Sequence, residues 1–217
     1  MQILDCRSSE HISKCLSILD EGGVIVFPTD TVYGLGCNPY YNESVERIFC
    51  IKGRCEDKPL PVMGSNLYDI EKIVDMSYLA RSLAQRFWRG ALTIISPCKD
   101  NNLSKKVMAG GSSLAVRIPA NICAQTLLRS CKYLIGTSAN VSGSKPCTSP
   151  FDILSSGLSG FDILLDGGKL ERGIESTVVE VTGSKARILR EGAIEFDKVY
   201  KAISEILNVR PELSHER

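Results

Sequence analysis

An α/β or α+β domain with a mixed, twisted sheet is the fold class this sequence predicts. Three observations predict it. Apolar residues recur at helical spacing in several stretches, short β-branched runs fall between them, and the two kinds of segment mix without strict alternation. Two long polar stretches, 98–113 and 137–150, exceed the ~12 residues of an ordinary connection, which points to functional or mobile loops around a central cleft. With 217 residues, 43% hydrophobic and 24% charged, the chain has the composition of one globular domain able to bury a sizeable core. We expect a single domain over 1–208 and a polar C-terminal tail over 209–217.

The elements follow in order. Ser8 and Ser9 can cap a helix running to about Asp20, with Ile12, Cys15, Leu16 and Leu19 on one face. Gly22-Gly23 ends it and leads into a strand over Val24–Pro28. Asn42 to Lys52 reads as a helix with Val45, Ile48 and Phe49 inward and Gly53 as its stop. Asp69–Val74 and Ser77–Trp88 are two further helical pieces. Leu92–Ser96 and Leu114–Ile118 are short strands, the second closed by Pro119. Asn121–Arg129 is a helix, and Lys132–Gly136 a strand. Phe161–Leu165, Thr177–Val181 and Ala186–Leu189 are strands. Val199, Ile203, Ile206 and Leu207 mark a last amphipathic helix.

Composition narrows the function classes. A net charge of +1 gives no global field to capture nucleic acid, so RNA binding would need a local patch. The nine cysteines include no Cys-x-x-Cys pair, which disfavours zinc and suggests reduced thiols in a cytoplasmic protein. No signal peptide opens the chain, and no apolar run approaches the ~20 residues of a membrane span. There is no phosphate-binding Gly-x-x-x-x-Gly-Lys loop, no Gly-x-Gly-x-x-Gly and no Gly-x-Ser-x-Gly elbow. The two histidines, His11 and His215, disfavour Ser-His-Asp hydrolysis and histidine-ligated metals. Catalysis would have to rest on cations and hydroxyls that position charged reactants.

Five stretches could carry such chemistry. The apolar run Val24–Phe27 stops at Pro28 and delivers Thr29-Asp30-Thr31-Val32-Tyr33-Gly34. In the cationic segment Lys52, Arg54 and Lys58, Lys52 either complements a helix C-terminus in solvent or joins Arg54 across Gly53 on one phosphate. Arg117, inside Ser113-Leu114-Ala115-Val116-Arg117, either faces an edge or is half-buried, in which case it needs an anion. Gly136-Thr137-Ser138-Ala139-Asn140 ends a buried strand, where α/β proteins tend to bind ligands, although such residues also make plain turns. Glu175-Ser176-Thr177 and Ile188-Leu189-Arg190 read as hydroxyls and a cation on two strands of a hairpin.

Taken together, six stretches resemble the threonylcarbamoyl-adenylate synthase family with its YrdC-like domain. They are PTDTVYGLG (28–36), KGR…KPL (52–60), SLAVRIP (113–119), TSANVSG…P (137–146), STVVEV (176–181) and ILREGAI (188–194). The resemblance implies a twisted mixed sheet around a large, positively lined concave cleft. It implies a nucleotidyltransferase that condenses L-threonine, bicarbonate and ATP into threonylcarbamoyl-AMP and pyrophosphate. A downstream complex would then pass the group to adenosine 37 of tRNA. By the same resemblance, Lys52, Arg54, Ser138 and Asn140 form the catalytic set. Arg54, Lys58, Ser113, Asn140, Thr148 and Arg190 hold ATP, with Lys52 also on the phosphates. Thr31, Arg117, Ser138 and Ser176 hold threonine. Mg²⁺ is implied as the ATP counter-ion, on phosphate oxygens and water with no dedicated protein ligands. Asp30 is a tempting metal ligand, but a loop-capping role fits it better.

Three positions depart from the family pattern. Cys55 replaces a common Pro, Arg89-Gly90-Ala91 replaces Pro-Gly-Pro, and Met63 sits where relatives can be polar. The larger family form carries a C-terminal domain for which this chain has no room. Two other readings remain: a double-stranded RNA or tRNA-binding module, and a carbamoyl-adenylate-forming domain of the hydrogenase-maturation type. The first has weak RNA contact as its minimum expectation. The second usually comes with cysteine pairs that are absent here.

Overall fold

The computed structural model describes residues 1–208; the expected tail over 209–217 lies outside the described residues. Two mixed sheets, rather than one, form the scaffold. The first contains β1 (Gln2–Asp5), β2 (Ile25–Phe27), β3 (Gly34–Gly36), β8 (Thr137–Ser138) and β9 (Ile163–Asp166), in the order β1-β9-β2-β3-β8. The second contains β4 (Val62–Gly64), β5 (Leu92–Pro97), β6 (Ser113–Arg117), β7 (Tyr133–Ile135), β10 (Thr177–Thr182) and β11 (Lys185–Arg190). Its order is β11-β10-β5-β6-β4-β7. Each sheet combines parallel pairs, such as β1 with β9 and β10 with β5, and antiparallel ones, such as β2 with β3 and β5 with β6.

The alternation of side chains along β2 explains why the first sheet is covered on both faces. Ile25 and Phe27 pack under α1 (Ser9–Asp20) and α5 (Ile122–Cys131), with Ile12, Leu19, Leu127 and Leu128. Val24 and Val26 point the other way into the larger core. That core also takes α2 (Asn42–Lys52), α3 (Leu67–Ile73), α4 (Tyr78–Phe87) and α7 (Phe196–Leu207). Local signals set the helix ends. Ser8, Asn66, Ser77 and Asn121 each accept a hydrogen bond from a first-turn amide.

Among the described residues, four strands and one α-helix were not foreseen, nor was a 3-10 turn over Lys105–Met108 inside the expected 98–113 loop. β1, β3, β4 and β8 are two to four residues long, and β3 reads as a turn because two of its three residues are glycine. The helix is α6 (Pro150–Ser155). Its capping box was legible: Ser149 accepts from the Asp152 amide, Asp152 caps Ser149 in return, and Pro150 stands at the first helical position.

The two sheets meet at a corner made of one residue. β7 belongs to the second sheet and β8 to the first, and only Gly136 separates them. The Ile135 amide donates to the Cys37 carbonyl across the corner at 2.9 Å, and the Gly136 amide to Pro61 at 3.0 Å. A Cβ at Gly136 would lie 2.5 Å from the Met63 Cε, so the close approach requires glycine.

Candidate active site

A single cavity sits where the sheets converge. Its walls come from the β2–β3 turn, from β4, β5, β6, β8 and β10, from the end of β11, and from the segment after α2. One side is polar and cationic: Thr29, Thr31, Arg54, Arg117, Ser138, Ser176 and Arg190. The other is apolar, with Met63, Ile95, Ala115 and Val178.

Arg117 is the deepest charge. Its side chain is 4% exposed and pairs with Asp30 at 2.8 Å. It also donates to the Gly90 carbonyl at 2.9 Å and to Thr31 Oγ1 at 3.0 Å. Three of its five N–H groups thus have protein partners, leaving two for a ligand. Burial pulls its pKa down, and the Asp30 carboxylate opposes that. Asp30 also accepts from the Ala120 amide at 2.9 Å, so it holds Arg117 and caps the turn. Thr29 closes the same turn by donating to the Val32 carbonyl at 2.6 Å and accepting from the Thr31 amide.

Arg54 reaches the cavity because α2 ends at Gly53 with φ 54°, a left-handed cap that only glycine adopts freely. The Gly53 and Arg54 amides satisfy the last helix carbonyls, Cys50 and Phe49. One Arg54 terminal nitrogen donates to the Pro59 carbonyl at 3.0 Å, and its Nε is buried with no partner. An unsatisfied buried donor costs about 1–3 kcal/mol, which an anionic oxygen would recover. Burial and the nearby Arg190 lower the Arg54 pKa, while Glu175 opposes them. Arg190 is pinned by Glu175 at 2.7 Å and by the Ser176 carbonyl at 2.8 Å. Ser176 shares a 2.8 Å hydrogen bond with Thr93.

Six of the expected site residues therefore come together on the wall: Thr31, Arg54, Arg117, Ser138, Ser176 and Arg190. Five stand elsewhere. Lys52 is buried behind Ser138, and its ammonium donates to the Ser138 carbonyl, to the Asn140 carbonyl at 2.8 Å and to Asn140 Oδ1 at 3.4 Å. Burial, then the neighbouring Arg54, bring its pKa down to about 8, against the opposing pull of Glu175 and Cys147. This geometry differs from the expected phosphate contact, because the donors are already occupied. Asn140 closes the same loop by donating to the Val141 and Ser144 carbonyls at 3.1 and 2.6 Å. Thr148 donates to Asp152 at the start of α6. Lys58 is exposed, and Ser113 begins β6 outside the cavity lining. Thr29, Thr93 and Glu175 are wall residues that sequence reasoning missed, although Thr29 and Glu175 lie inside the quoted stretches.

Residues 17–192 match the model of the Sua5_yciO_yrdC family, described as telomere recombination. The chain belongs to this family. The threonylcarbamoyl-AMP synthase of Bacillus subtilis is 37% identical over 202 residues, covering 90% of this chain and 57% of the relative. The enzyme of the same name from Pyrococcus abyssi is 35% identical, covering 86% and 55%. The crystal structure of P. abyssi Sua5 complexed with L-threonine superposes with a TM-score of 0.88 at 31% identity, over 94% of this chain and 61% of that one. The chain thus spans somewhat over half the length of these Sua5_yciO_yrdC relatives. The described fold, two mixed sheets flanked by helices, is the family fold.

Proposed function

We propose that this chain is an L-threonylcarbamoyladenylate synthase, converting L-threonine, bicarbonate and ATP into threonylcarbamoyl-AMP and pyrophosphate. One observation carries the reading: Arg117, a buried arginine, and Arg54, a half-buried one whose Nε is enclosed without a partner, share one cavity and retain N–H groups for ligands. Two anionic reactants need two such sites. The names of the curated relatives and the threonine complex of P. abyssi Sua5 support the same substrates.

The chemistry follows from charge. The threonine amine takes up the carbon of bicarbonate to form a carbamate, with loss of water. A carbamate oxygen then attacks the α-phosphorus, and pyrophosphate leaves. Both partners are anions, and at ~4 Å two unit charges interact by several kcal/mol at an effective dielectric of ~20. Arg117 takes the threonine carboxylate, with Thr31 and Ser176 beside it. Arg54 and Arg190 take phosphate oxygens, and Ser138 lies between the two halves. Fixed cations and hydroxyls in a dry cavity lower the barrier by orientation and by charge already in place.

Lys52 and Asn140 shape the 138–144 loop from behind rather than touching substrate. Lys58, Ser113 and Thr148 contribute at most from the outer rim. Mg²⁺ would come as the counter-ion of ATP and would supply neutralisation of phosphate charge. Its preference for oxygen fits the wall's hydroxyls and the Glu175 carboxylate, with water completing its shell. Downstream, a transferase complex acting on tRNA consumes the product. We place the chain in the cytoplasm; no helix among the described residues is long and apolar enough to cross a membrane.

The test is pyrophosphate release from Mg·ATP with threonine and bicarbonate each present or omitted. Release that requires both supports the reading, and Arg54→Ala should nearly abolish it with the fold intact. Release independent of threonine, or none from folded protein, would overturn it and turn attention to carbamoyl phosphate and then to RNA.

A further inference from the structure

A second cavity opens on the far side of the Pro28–Asp30 turn, and two thiols face it. Cys6 follows β1, and Cys123 is the second residue of α5; both line this cavity beside Arg7, Asn121 and Thr126. Both belong to the small core beneath α1 and α5, Cys123 buried within it and Cys6 packed against it. Cys6 is half-buried and Cys123 is 5% exposed.

The pair brackets the turn that carries the deep arginine's partner. A Cβ built on Gly167 would lie 3.5 Å from Cys6 Sγ and 2.6 Å from Pro28 Cγ, so Cys6 and Pro28 flank one glycine. On the other side, the Ala120 amide holds Asp30 at 2.9 Å, three residues before Cys123. We propose that Cys6 and Cys123 form a reversible redox pair that closes a disulfide behind the Pro28–Asp30 turn. Closing the bond brings the two sulfurs to about 2 Å. The strain falls on the two segments that hold Pro28 and Asp30, and hence on Arg117.

The step balances with a low-molecular-weight disulfide such as oxidised glutathione. Cys6 is the more accessible thiol, so exchange begins there. Its thiolate attacks one glutathione sulfur and expels glutathione thiolate. Cys123 then gives up its proton and attacks the Cys6 sulfur, expelling the second glutathione. Two protein thiols are oxidised, one glutathione disulfide is reduced, and the two thiolates released take up the two protons. Burial pushes the Cys123 thiol up, which makes the second step the slow one.

The test is a glutathione redox titration of the reduced protein, with acid trapping, alkylation and peptide mapping. The expected result is one cross-linked peptide pair containing Cys6 and Cys123, lighter by two hydrogens and absent after Cys6→Ser or Cys123→Ser. Exposed Cys50 and Cys55 serve as internal reporters of exchange. Their glutathionylation with no Cys6–Cys123 link would overturn the proposal, as would a link from Cys6 to Cys15 instead. The coupling to the cavity rests on the proposed threonine site. The oxidised protein should need about fivefold more threonine or beyond for half-maximal turnover, the low end of coupling between sites, and recover on reduction. An unchanged requirement would remove the coupling. Loss of all threonine-dependent turnover in the reduced protein would instead count against the proposed function, since the peptide map does not depend on it.

Discussion

Asp30→Ala isolates what the buried ion pair contributes. Arg117 is 4% exposed on its side chain and Asp30 15%, so the guanidinium has little water to replace a lost carboxylate. Removing one partner of a buried pair typically costs about 3–5 kcal/mol, mostly as the penalty of an unpaired charge. The Ala120 amide also loses its acceptor, but Ala120 is exposed and water takes that place. At about 2–4 °C per kcal/mol for a domain of this size, the melting temperature should fall by about 6–20 °C. The companion variant is Asp30→Ala with Arg117→Met. It removes the stranded charge and fills its volume, so at least half of the lost stability should return. The assay is differential scanning calorimetry of wild type, single and double variants, with threonine binding followed in parallel. The double variant should be folded and blind to threonine. A single variant within 2 °C of wild type, or a double variant no better than the single, would refute the argument that the pair is desolvated.

Four further outcomes are expected. Gly136→Ala places a methyl 2.5 Å from the end of the Met63 side chain, which must swing into the cavity; steady-state kinetics should show a raised threonine KM, with a stability loss of only about 1–3 kcal/mol by thermal melts. Raising the pH through about 8 deprotonates Lys52 and removes one of the donors that hold the 138–144 loop, so turnover should decline on this alkaline limb in a pH–rate profile. Global stability should move the other way for this group: between about 8 and 10.5 the unfolded chain keeps the proton that the folded one has lost, and stability then rises with pH, as denaturant titrations across that window would register. Ser149→Ala breaks the capping box of α6 and should cost about 1 kcal/mol in urea unfolding, with little change in rate.

Much of the fold was legible because its signals are local. The caps at Ser8, Ser77 and Asn121, the stop at Gly53 and the apolar stripe of α7 each act within one turn of helix. The division into two sheets was not legible, because β3, β4 and β8 are too short to carry a period of two and exist only through their partners. The candidate site was legible in its residue types. Arg117 in an apolar strand needed an anion, and the structure supplies Asp30 in addition to leaving donors free. The place of Lys52 was not legible. Sequence put a cation at a helix end, but only the return of residues 138–140 to that end gives its ammonium three oxygens.

The one-residue corner at Gly136 bears on how the chain acquires its cavity. The β2–β3 turn and β3 on one side, and β5, β6 and β10 on the other, contribute walls that touch only when residues far apart in sequence have already paired. The cavity is therefore a late product of folding, formed by non-local pairing that closes large loops. Cutting the chain near the corner would yield no fragment with an amino-acid half or a nucleotide half of its own. Each cut would separate β7 from β8, and with them the registers that pair Met63 with Leu134 and Gly34 with Ser138.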